Sequence, residues 1–317
     1  MGADTRTLQV VTCVTNPMLW KSRESLARQA VNAWLEEPNV HVTIAECVYG
    51  GRTYQLDDVS AERVTHLKFR ASTLLWCKEN LLNLAISQLP HGAEYILTAD
   101  ADVTWRAKGW ASRTINALDL SPVVQPWKSC FDLGPNSTHM SVATSFAWMH
   151  SEGAKVVPTF NKKTMVLTNY PYGYPHPGFA WAWKRDFLDW AGGLFEWGGV
   201  GAGDHHMALA LVGEPDASIP EGLAGPYNDL LKAWATRANA FNGFKLGWLD
   251  DTIEHIFHGS KVSRGYNSRW QMFLKYQFNP VTDVKRNSYG VLEFAGNKPA
   301  LEAAWLKYLI ARNEDSA

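Results

Sequence analysis

Hydrophobic runs typical of buried strands alternate with helical patterns along the first 130 residues. The segments LQVVTCVT, VHVTIAECVYG, AEYILTA and PVVQPW are apolar and β-branched, as expected of parallel strands covered on both faces. Between them, SRESLARQAVNAWL, ASTLLWCKENLLNLAISQL and GWASRTINAL have helical spacing. In the first of these, Leu26, Ala30, Ala33 and Trp34 share a face, and Ser22 is a plausible N-cap. This alternation predicts an α/β fold with a mostly parallel sheet.

The second half of the chain has a different composition. Residues 158–225 are rich in Gly, Pro, Trp and Tyr, as in YPYGYPHPGFAWAW and WGGVGAGDHH, which is typical of loops around a cleft. Helical patterns return in YNDLLKAWATRANAF and KPALEAAWLKYLIAR, and FKLGWLDDTIEHIFHGS ends in a strand-like segment. The sequence contains neither an internal repeat nor a clear linker, so we expect one domain with elaborated loops.

Composition narrows the class of protein. The chain has 317 residues, 46% of them hydrophobic and 19% charged, and a net charge of -1, which excludes a whole-protein basic field for nucleic acid or membrane. No signal peptide and no apolar run of about 20 residues is present. With four scattered cysteines, we expect a cytoplasmic protein with reduced core thiols. The 15 tryptophans predict either a large aromatic core or a cleft lined with flat rings.

The stretch YILTADADVTW places Asp100 and Asp102 directly after a predicted strand. In an extended segment residues i and i+2 point to the same side, so the two carboxylates would repel each other unless a cation lies beside them. Oxygen ligands select a hard divalent ion, Mg²⁺ or Mn²⁺. A solvated turn is the simpler alternative, but the β-α-β pattern before it favours a site, because ligands bind at the carboxyl ends of such strands.

A glycine-rich loop is the second candidate, in GGLFEWGGVGAGDHHMALAL. It delivers Asp204 and His205 to the start of an apolar helix predicted over 207–212. A helix N-terminus favours negative charge, and glycines let the backbone approach a substrate closely. Asp204 is also a plausible helix N-cap.

The third candidate is HIFHGS, which places His255 and His258 before the basic run KVSRGYNSRW. A single histidine is more often structural than a ligand. Here Lys261, Arg264 and Arg269 follow, and cationic side chains of this kind bind diphosphates.

Taken together, these segments resemble the GT-A family of nucleotide-sugar-dependent glycosyltransferases over roughly residues 8–295. TADAD is similar to the family's D-x-D motif, and HIFHG to the C-terminal histidine of its metal site. HPGFAWAWKRDFLDWAGGLFEWGGVGAGDHH is similar to the acceptor-side segment, with GDHH in place of G-E-D. VTNPMLWKSR and LLWCKENLLN are similar to the nucleotide-facing elements. The resemblance implies a GT-A domain over 1–297, with nucleotide-sugar-binding (about 8–130) and acceptor-binding (about 131–297) halves, followed by a C-terminal helix and tail, 298–317.

The resemblance also implies roles for individual residues. Asp102 and His258 would bind Mn²⁺ or Mg²⁺ directly, and Asp100 would bind it through water or hold the donor ribose. Asp204 would deprotonate the acceptor in an inverting enzyme, with His205 as second candidate, and would only position the acceptor in a retaining one.

The expected contacts fall into two groups. Expected donor contacts, to a nucleoside-diphosphate sugar, are Thr12, Asn16, Arg23, Arg70, Lys78, Asn80, Asp100, Lys261 and Arg264. Expected acceptor contacts are His176, Gly178, Trp181, Gly201, Gly203 and Asp204. A solvated helix face is the alternative for Lys78 and Glu79, and Trp181, Trp183 and Trp197 are either stacking rings or core.

Other functions fit part of the pattern. A nucleotidyltransferase of the same shape usually has a Gly-rich basic loop after the first strand, where this chain has TNPMLWKSR. A glycoside hydrolase would use two carboxylates without metal or nucleotide, and a non-catalytic carbohydrate-binding protein would not turn over. The acceptor is expected to be a glycan or small molecule, with modified DNA as a less favoured alternative because KVSRGYNSRWQMFLKYQF interleaves basic and aromatic residues.

Overall fold

The computed structural model describes residues 6–59, 61–157, 159–160, 167–168, 175–223, 225–259 and 269–315. The strands are β1 Leu8–Thr15, β2 Val40–Tyr49, β3 Val64–Ala71, β4 Tyr95–Ala99, β5 Val103–Trp105, β6 Val123–Gln125, β7 Ser129–Leu133, β8 His139–Ser145, β9 Thr159–Phe160, β10 Leu167–Thr168, β11 Pro175–His176, β12 Ala180–Lys184, β13 Leu246–Trp248, β14 Thr252–His255, β15 Val284–Arg286 and β16 Leu292–Phe294. The helices are α1 Lys21–Trp34, α2 Lys78–Ile86, α3 Trp110–Leu118, α4 Phe146–Ser151, α5 Arg185–Ala191, α6 Gly203–Leu211, α7 Gly225–Asn239, α8 Arg269–Lys275 and α9 Pro299–Arg312, with 3-10 turns at Pro135–Ser137 and Pro215–Ser218.

The central sheet has seven strands in the order β13-β6-β12-β4-β1-β2-β3. The pairs β1–β2, β1–β4, β2–β3 and β6–β13 are parallel, and β12 runs antiparallel between β4 and β6. The predicted α/β class with a mostly parallel central sheet is therefore confirmed. The apolar runs read as parallel strands are buried along most of their length, as helices on both faces require.

Three local predictions differ from the structure. The strand β3 was not predicted, because it lies at the sheet edge and only two of its eight residues are buried, which weakens the apolar signal. The helix α2 begins at Lys78 and not at Ala71, so the chain before it is a loop. Ser22 does not cap α1, since the helix begins at Lys21 and its first amides are bound by the side chain of Asp315.

A second sheet of five strands, in the order β11-β8-β7-β14-β5, brings distant parts of the chain together. The strand β5 follows the Asp100–Asp102 turn directly, and β14 pairs with it antiparallel, with His255 opposite Val103. The amide of Ile256 donates to the carbonyl of Asp102 at 2.8 Å. This pairing places the histidine segment beside the aspartates, although about 150 residues separate the two.

The core lies on both faces of the central sheet and takes up most of the aromatic residues. Eight of the 15 tryptophans are buried: Trp20, Trp34, Trp110, Trp127, Trp181, Trp183, Trp234 and Trp305. The helix α9 contributes Trp305 to the larger cluster, and its indole N–H donates to the carbonyl of Leu74 at 2.5 Å. The four cysteines are free thiols, three of them buried. Among the described residues, no helix is both long and apolar enough to cross a bilayer.

Candidate active site

The two aspartates of the D-x-D segment lie at the carboxyl end of β4 and have different partners. The ammonium of Lys78, at the start of α2, forms an ion pair with the Asp100 carboxylate. The Asp102 carboxylate instead faces His258, with Oδ2 2.9 Å from Nε2. Burial and the charge of Asp102 raise the pKa of Asp100, against the opposing effect of Lys78. The structure therefore brings Asp102 and His258 together, as the sequence predicts, and turns Asp100 toward a lysine.

Two histidines complete a cluster around Asp102. His255 and His258 are each 5% exposed, and their Nε2 atoms lie 3.3 Å apart. The Nε2 atom of His255 is also 3.9 Å from Asp102 Oδ2. Among the described residues, Asp102, His255 and His258 are the one group of three whose ligand atoms converge closely enough for a metal ion.

Each histidine has a carboxylate behind it. His255 Nδ1 lies 2.7 Å from Asp132 Oδ1, and His258 Nδ1 lies 3.5 Å from Glu314 Oε2. A carboxylate accepts and does not donate, so when Nε2 of each histidine binds a cation, the ring proton lies on Nδ1, toward these carboxylates. The Nε2 atoms of the two histidines face each other and the Asp102 carboxylate. A cation between these three atoms would accept both nitrogen lone pairs and pair with the carboxylate.

The dimensions of this group suit a divalent ion. Neighbouring ligand atoms of an octahedral ion, each about 2.1 Å from it, lie about 3 Å apart. The separations of 2.9 and 3.3 Å match such neighbouring positions, and 3.9 Å is somewhat wider. Metal-bound histidines characteristically donate their second ring N–H to a carboxylate, and the Nδ1 atoms of His255 and His258 each face one. The residues present therefore fit a metal ion.

A second group of charges lies beside the first. Lys78 and Glu79 begin α2, and Asp204 lies in the first turn of α6, where its carboxylate interacts electrostatically with Lys78, Glu79 and Asp100. Burial alone would lower the pKa of Lys78, but these three carboxylates raise it above its ordinary value. Glu79 is 4% exposed, and burial together with Asp204 raises its pKa to about 7. The solvated helix face considered for Lys78 and Glu79 is therefore wrong.

Glycines set the position of Asp204. A Cβ at Gly178 would lie 2.7 Å from Asp204 Oδ2, and one at Gly203 would lie 2.3 Å from Glu79 Cδ. The α6 N-terminus thus packs directly on Glu79. The helix begins at Gly203 with Ala202 in the capping position, so Asp204 is not the N-cap. Its Oδ1 accepts from the His205 amide at 2.7 Å.

His205 and His206 have different surroundings. Burial lowers the pKa of His205 to about 4 against the opposing effect of Asp204, so its ring is neutral at pH 7. His206 is fully buried between Ser218 Oγ and Tyr227 OH, at 2.7 and 2.8 Å, and has a structural role.

Several expected donor contacts have partners within the protein. Arg23 is held by Glu314, with Nε–Oε2 2.6 Å and a second bond of 2.7 Å. Arg70 donates to backbone carbonyls, including that of Arg52 at 2.9 Å. Three more are bonded internally: Thr12 to the Ala99 carbonyl, Asn16 to the backbone of Trp20, and Asn80 to Glu196 and the Leu292 amide. Lys261 and Arg264 lie outside the described residues.

The expected acceptor residues divide similarly. His176 stacks on Phe179 with ring centroids 4.1 Å apart, and Phe179 lies 5.1 Å from His255, so this pair borders the metal cluster. Trp181 is 4% exposed and its indole donates to the Pro177 carbonyl, which places the ring in the core. The Gly201 carbonyl accepts from Arg269 at 2.9 Å.

Three carboxyl residues of the site were not identified from sequence. Asp132 lies on β7, Glu79 was considered only as part of a helix face, and Glu314 follows α9 near the end of the chain. Each belongs to a different element and none forms a motif with its neighbours. For Glu79 a signal was available, because it directly follows Lys78 in a segment otherwise rich in leucine.

Comparison with known proteins gives distant structural matches. No family model and no curated protein matches the sequence. Mannosyltransferase PcManGT from Pyrobaculum calidifontis, in complex with GDP-Man and Mn²⁺, is 14% identical with a TM-score of 0.46, and the match covers 98% of this chain and 74% of that one. S. aureus TarS 1–349, also solved with UDP-GlcNAc, is 14% identical with a TM-score of 0.40; the match covers 79% of this chain and only 60% of the 1–349 chain.

A third matching structure is described as a synthase and not as a transferase. The 4-diphosphocytidyl-2C-methyl-D-erythritol synthase from Anaerococcus prevotii is 10% identical with a TM-score of 0.40, and the match covers 78% of this chain and 90% of that one. Structures solved with nucleotide sugars are therefore among those similar to this chain, and a structure described as a synthase is another. At these TM-scores and identities the likeness carries no argument about activity.

Proposed function

We propose that the protein is a metal-dependent glycosyltransferase that moves a sugar from a nucleoside-diphosphate sugar to an acceptor hydroxyl. The observation that carries the proposal is the convergence of Asp102, His255 and His258 at the carboxyl end of β4, with both Nδ1 atoms turned to carboxylates. Ligands of open α/β sheets bind at this edge. Beside the cluster, Lys78 would supply a cation for the diphosphate, and Asp204 would supply a base for the acceptor hydroxyl.

The metal would be held by Asp102, His255 and His258. Two imidazole nitrogens with one carboxylate suit a transition-metal ion such as Mn²⁺ better than Mg²⁺, which prefers oxygen ligands. Such an ion acts as a Lewis acid toward the leaving diphosphate when bound.

Lys78 is the second cation of the site. Its ammonium is ion-paired with Asp100 and lies among the carboxylates of Glu79 and Asp204, so it stays charged at neutral pH. A diphosphate brings negative charge and would draw Lys78 into a charge-assisted hydrogen bond. Asp100 would then be released to bind the donor ribose or a metal-bound water.

Asp204 is the candidate base for the acceptor hydroxyl in an inverting reaction. It lies in the first turn of α6 and against Gly178, where its charge acts on Asp100. His205 is second, and its low pKa makes it a weak base. In a retaining reaction Asp204 would only position the acceptor. We favour a carbohydrate or small-molecule acceptor over modified DNA, because the net charge of -1 provides no general attraction for a polyanion.

The test separates the metal site from the base. Asp102→Ala should abolish Mn²⁺-dependent binding of a nucleotide sugar in calorimetry, since it removes a ligand. Asp204→Ala should keep donor affinity within about threefold and lower transfer by 10²-fold or more, the size of effect expected for a lost general base. The assignment of the base would be wrong if Asp204→Ala transferred at the wild-type rate, and the metal site would be wrong if Asp102→Ala bound donor and Mn²⁺ normally.

A further inference from the structure

The C-terminal segment from Asn313 to Asp315 lies against the metal cluster. Glu314 is 1% exposed, and three residues follow it in the sequence. Its carboxylate pairs with the guanidinium groups of Arg23 and Arg312 and lies 3.5 Å from His258 Nδ1. A buried carboxylate is costly unless it is paired, so these contacts explain why it is tolerated.

Two further features fix the segment in place. Asp315 accepts from the amides of Lys21 and Ser22 at 2.9 and 3.0 Å and so provides the cap at the N-terminus of α1. Gly259, with φ of +82°, packs on the backbone of Glu314, and a Cβ there would lie 2.9 Å from the Glu314 Cα. The residue directly after His258 is thus shaped to admit the C-terminal segment.

We propose that Glu314 is a positioning residue of the metal site, and that the C-terminal segment closes the site from behind His258. This inference rests on the proposed function, because it concerns the same three ligands. Glu314 holds the proton of His258 on Nδ1, so that Nε2 presents its lone pair to the position between Asp102 and His255. Asp132 does the same for His255. The two carboxylates together fix both rings.

The arrangement couples metal binding to docking of the segment from Asn313 to Asp315. Glu314 joins His258 to Arg23 of α1, and Asp315 joins the same segment to the α1 N-terminus. The orientation of the His258 ring that would bind the metal through Nε2 is also the one that turns Nδ1 toward Glu314. Metal binding and docking of the segment therefore favour each other. By linkage, a metal that depends on the docked segment must also stabilise it to the same extent.

The direct test compares Mn²⁺ affinity in Glu314→Gln, which keeps the shape of the side chain, with that in Asp315→Asn, which retains a capping oxygen and does not contact His258. Calorimetry should show affinity 10–100-fold weaker in Glu314→Gln, the range typical of a lost carboxylate behind a metal-bound histidine. Asp315→Asn should stay within about twofold of wild type. Circular dichroism and the metal-free melting temperature identify any variant that is unfolded.

The outcomes separate the two proposals. Wild-type Mn²⁺ affinity in folded Glu314→Gln, or an equal loss in Asp315→Asn, would overturn the role of Glu314 and leave the proposed function standing. Failure of the wild-type protein to bind Mn²⁺ would overturn both. If Glu314→Gln does not fold, hydrogen exchange on the wild type decides: Mn²⁺ should slow exchange of the peptide covering 313–315 at least tenfold, and unchanged exchange would refute the coupling.

Discussion

Replacing Glu79 with glutamine should change how the stability of the protein depends on pH. The Glu79 carboxyl is 4% exposed, and its pKa is raised from 4.5 to about 7 by burial and by Asp204, with Lys78 opposing. The unfolded chain releases this proton near pH 4.5, whereas the folded chain keeps it until about pH 7. Stability contributed by the neutral acid is therefore present below pH 4.5 and is lost as the pH rises to about 7.

The size of the effect follows from the same two values. The difference between 4.5 and about 7 is about 2.5, and each unit of pKa corresponds to about 1.4 kcal/mol, so the loss is about 3 kcal/mol. Glutamine cannot ionise, so Glu79→Gln should not show this loss. The free energy of unfolding of the variant should gain about 3 kcal/mol on that of wild type between pH 4.5 and pH 8.

Urea denaturation in EDTA, at intervals across this pH range, measures the difference directly, because other titrating groups are common to both proteins. Glu62→Gln is the matched control, since Glu62 is exposed, and its curve should run parallel to wild type. Parallel curves for Glu79→Gln and wild type would refute the assignment of Glu79 as a buried neutral acid.

Two further substitutions test the packing around the site. Gly203→Ala should lower the free energy of unfolding by about 1–3 kcal/mol in urea denaturation, because the new Cβ would lie 2.3 Å from Glu79 Cδ. Gly225→Ala is the control and should leave the free energy of unfolding unchanged, because nothing lies within 4 Å of the new Cβ. Equal effects of the two substitutions would contradict the close contact. Trp305→Ala should lower the free energy of unfolding by about 3–5 kcal/mol, because Trp305 is 1% exposed within the core. Trp190→Ala should lower it by about 1 kcal/mol or less, because Trp190 is 55% exposed. A similar small loss at both tryptophans would show that α9 is not part of the core.

The sequence predicts the central sheet well because several of its strands are continuous hydrophobic runs. In LQVVTCVT and YILTA nearly every side chain is buried, so hydrophobicity alone locates them. The strand β3 gives no such signal, since only two of its eight residues are buried. The second sheet was missed as well, because its strands are short and the pairing of β14 with β5 and β7 is a long-range property of the fold.

Residues of the site could be predicted from the sequence only where they belong to a local motif. Asp102 stands in a recognisable D-x-D segment and His258 in HIFHG, and the structure brings them within 2.9 Å. Glu314 and Asp132 lie in segments that resemble any solvated turn or strand, and they acquire a role only through their contacts with the two histidines. The ion pair of Asp100 with Lys78 could not be predicted from the sequence either. A lysine at the start of a helix is equally compatible with a solvated helix face.

The central claim is that Asp102, His255 and His258 hold a divalent ion that carries the diphosphate of a nucleotide sugar. A thermal-shift screen of nucleotide sugars with and without Mn²⁺ tests it most directly, since a ligand that binds the folded state raises the melting temperature by mass action. We expect Mn²⁺ to raise the melting temperature of the wild-type protein, at least one nucleotide sugar to raise it further only when Mn²⁺ is present, and Asp102→Ala to lose both shifts. No shift with any nucleotide sugar in any divalent metal would contradict the claim.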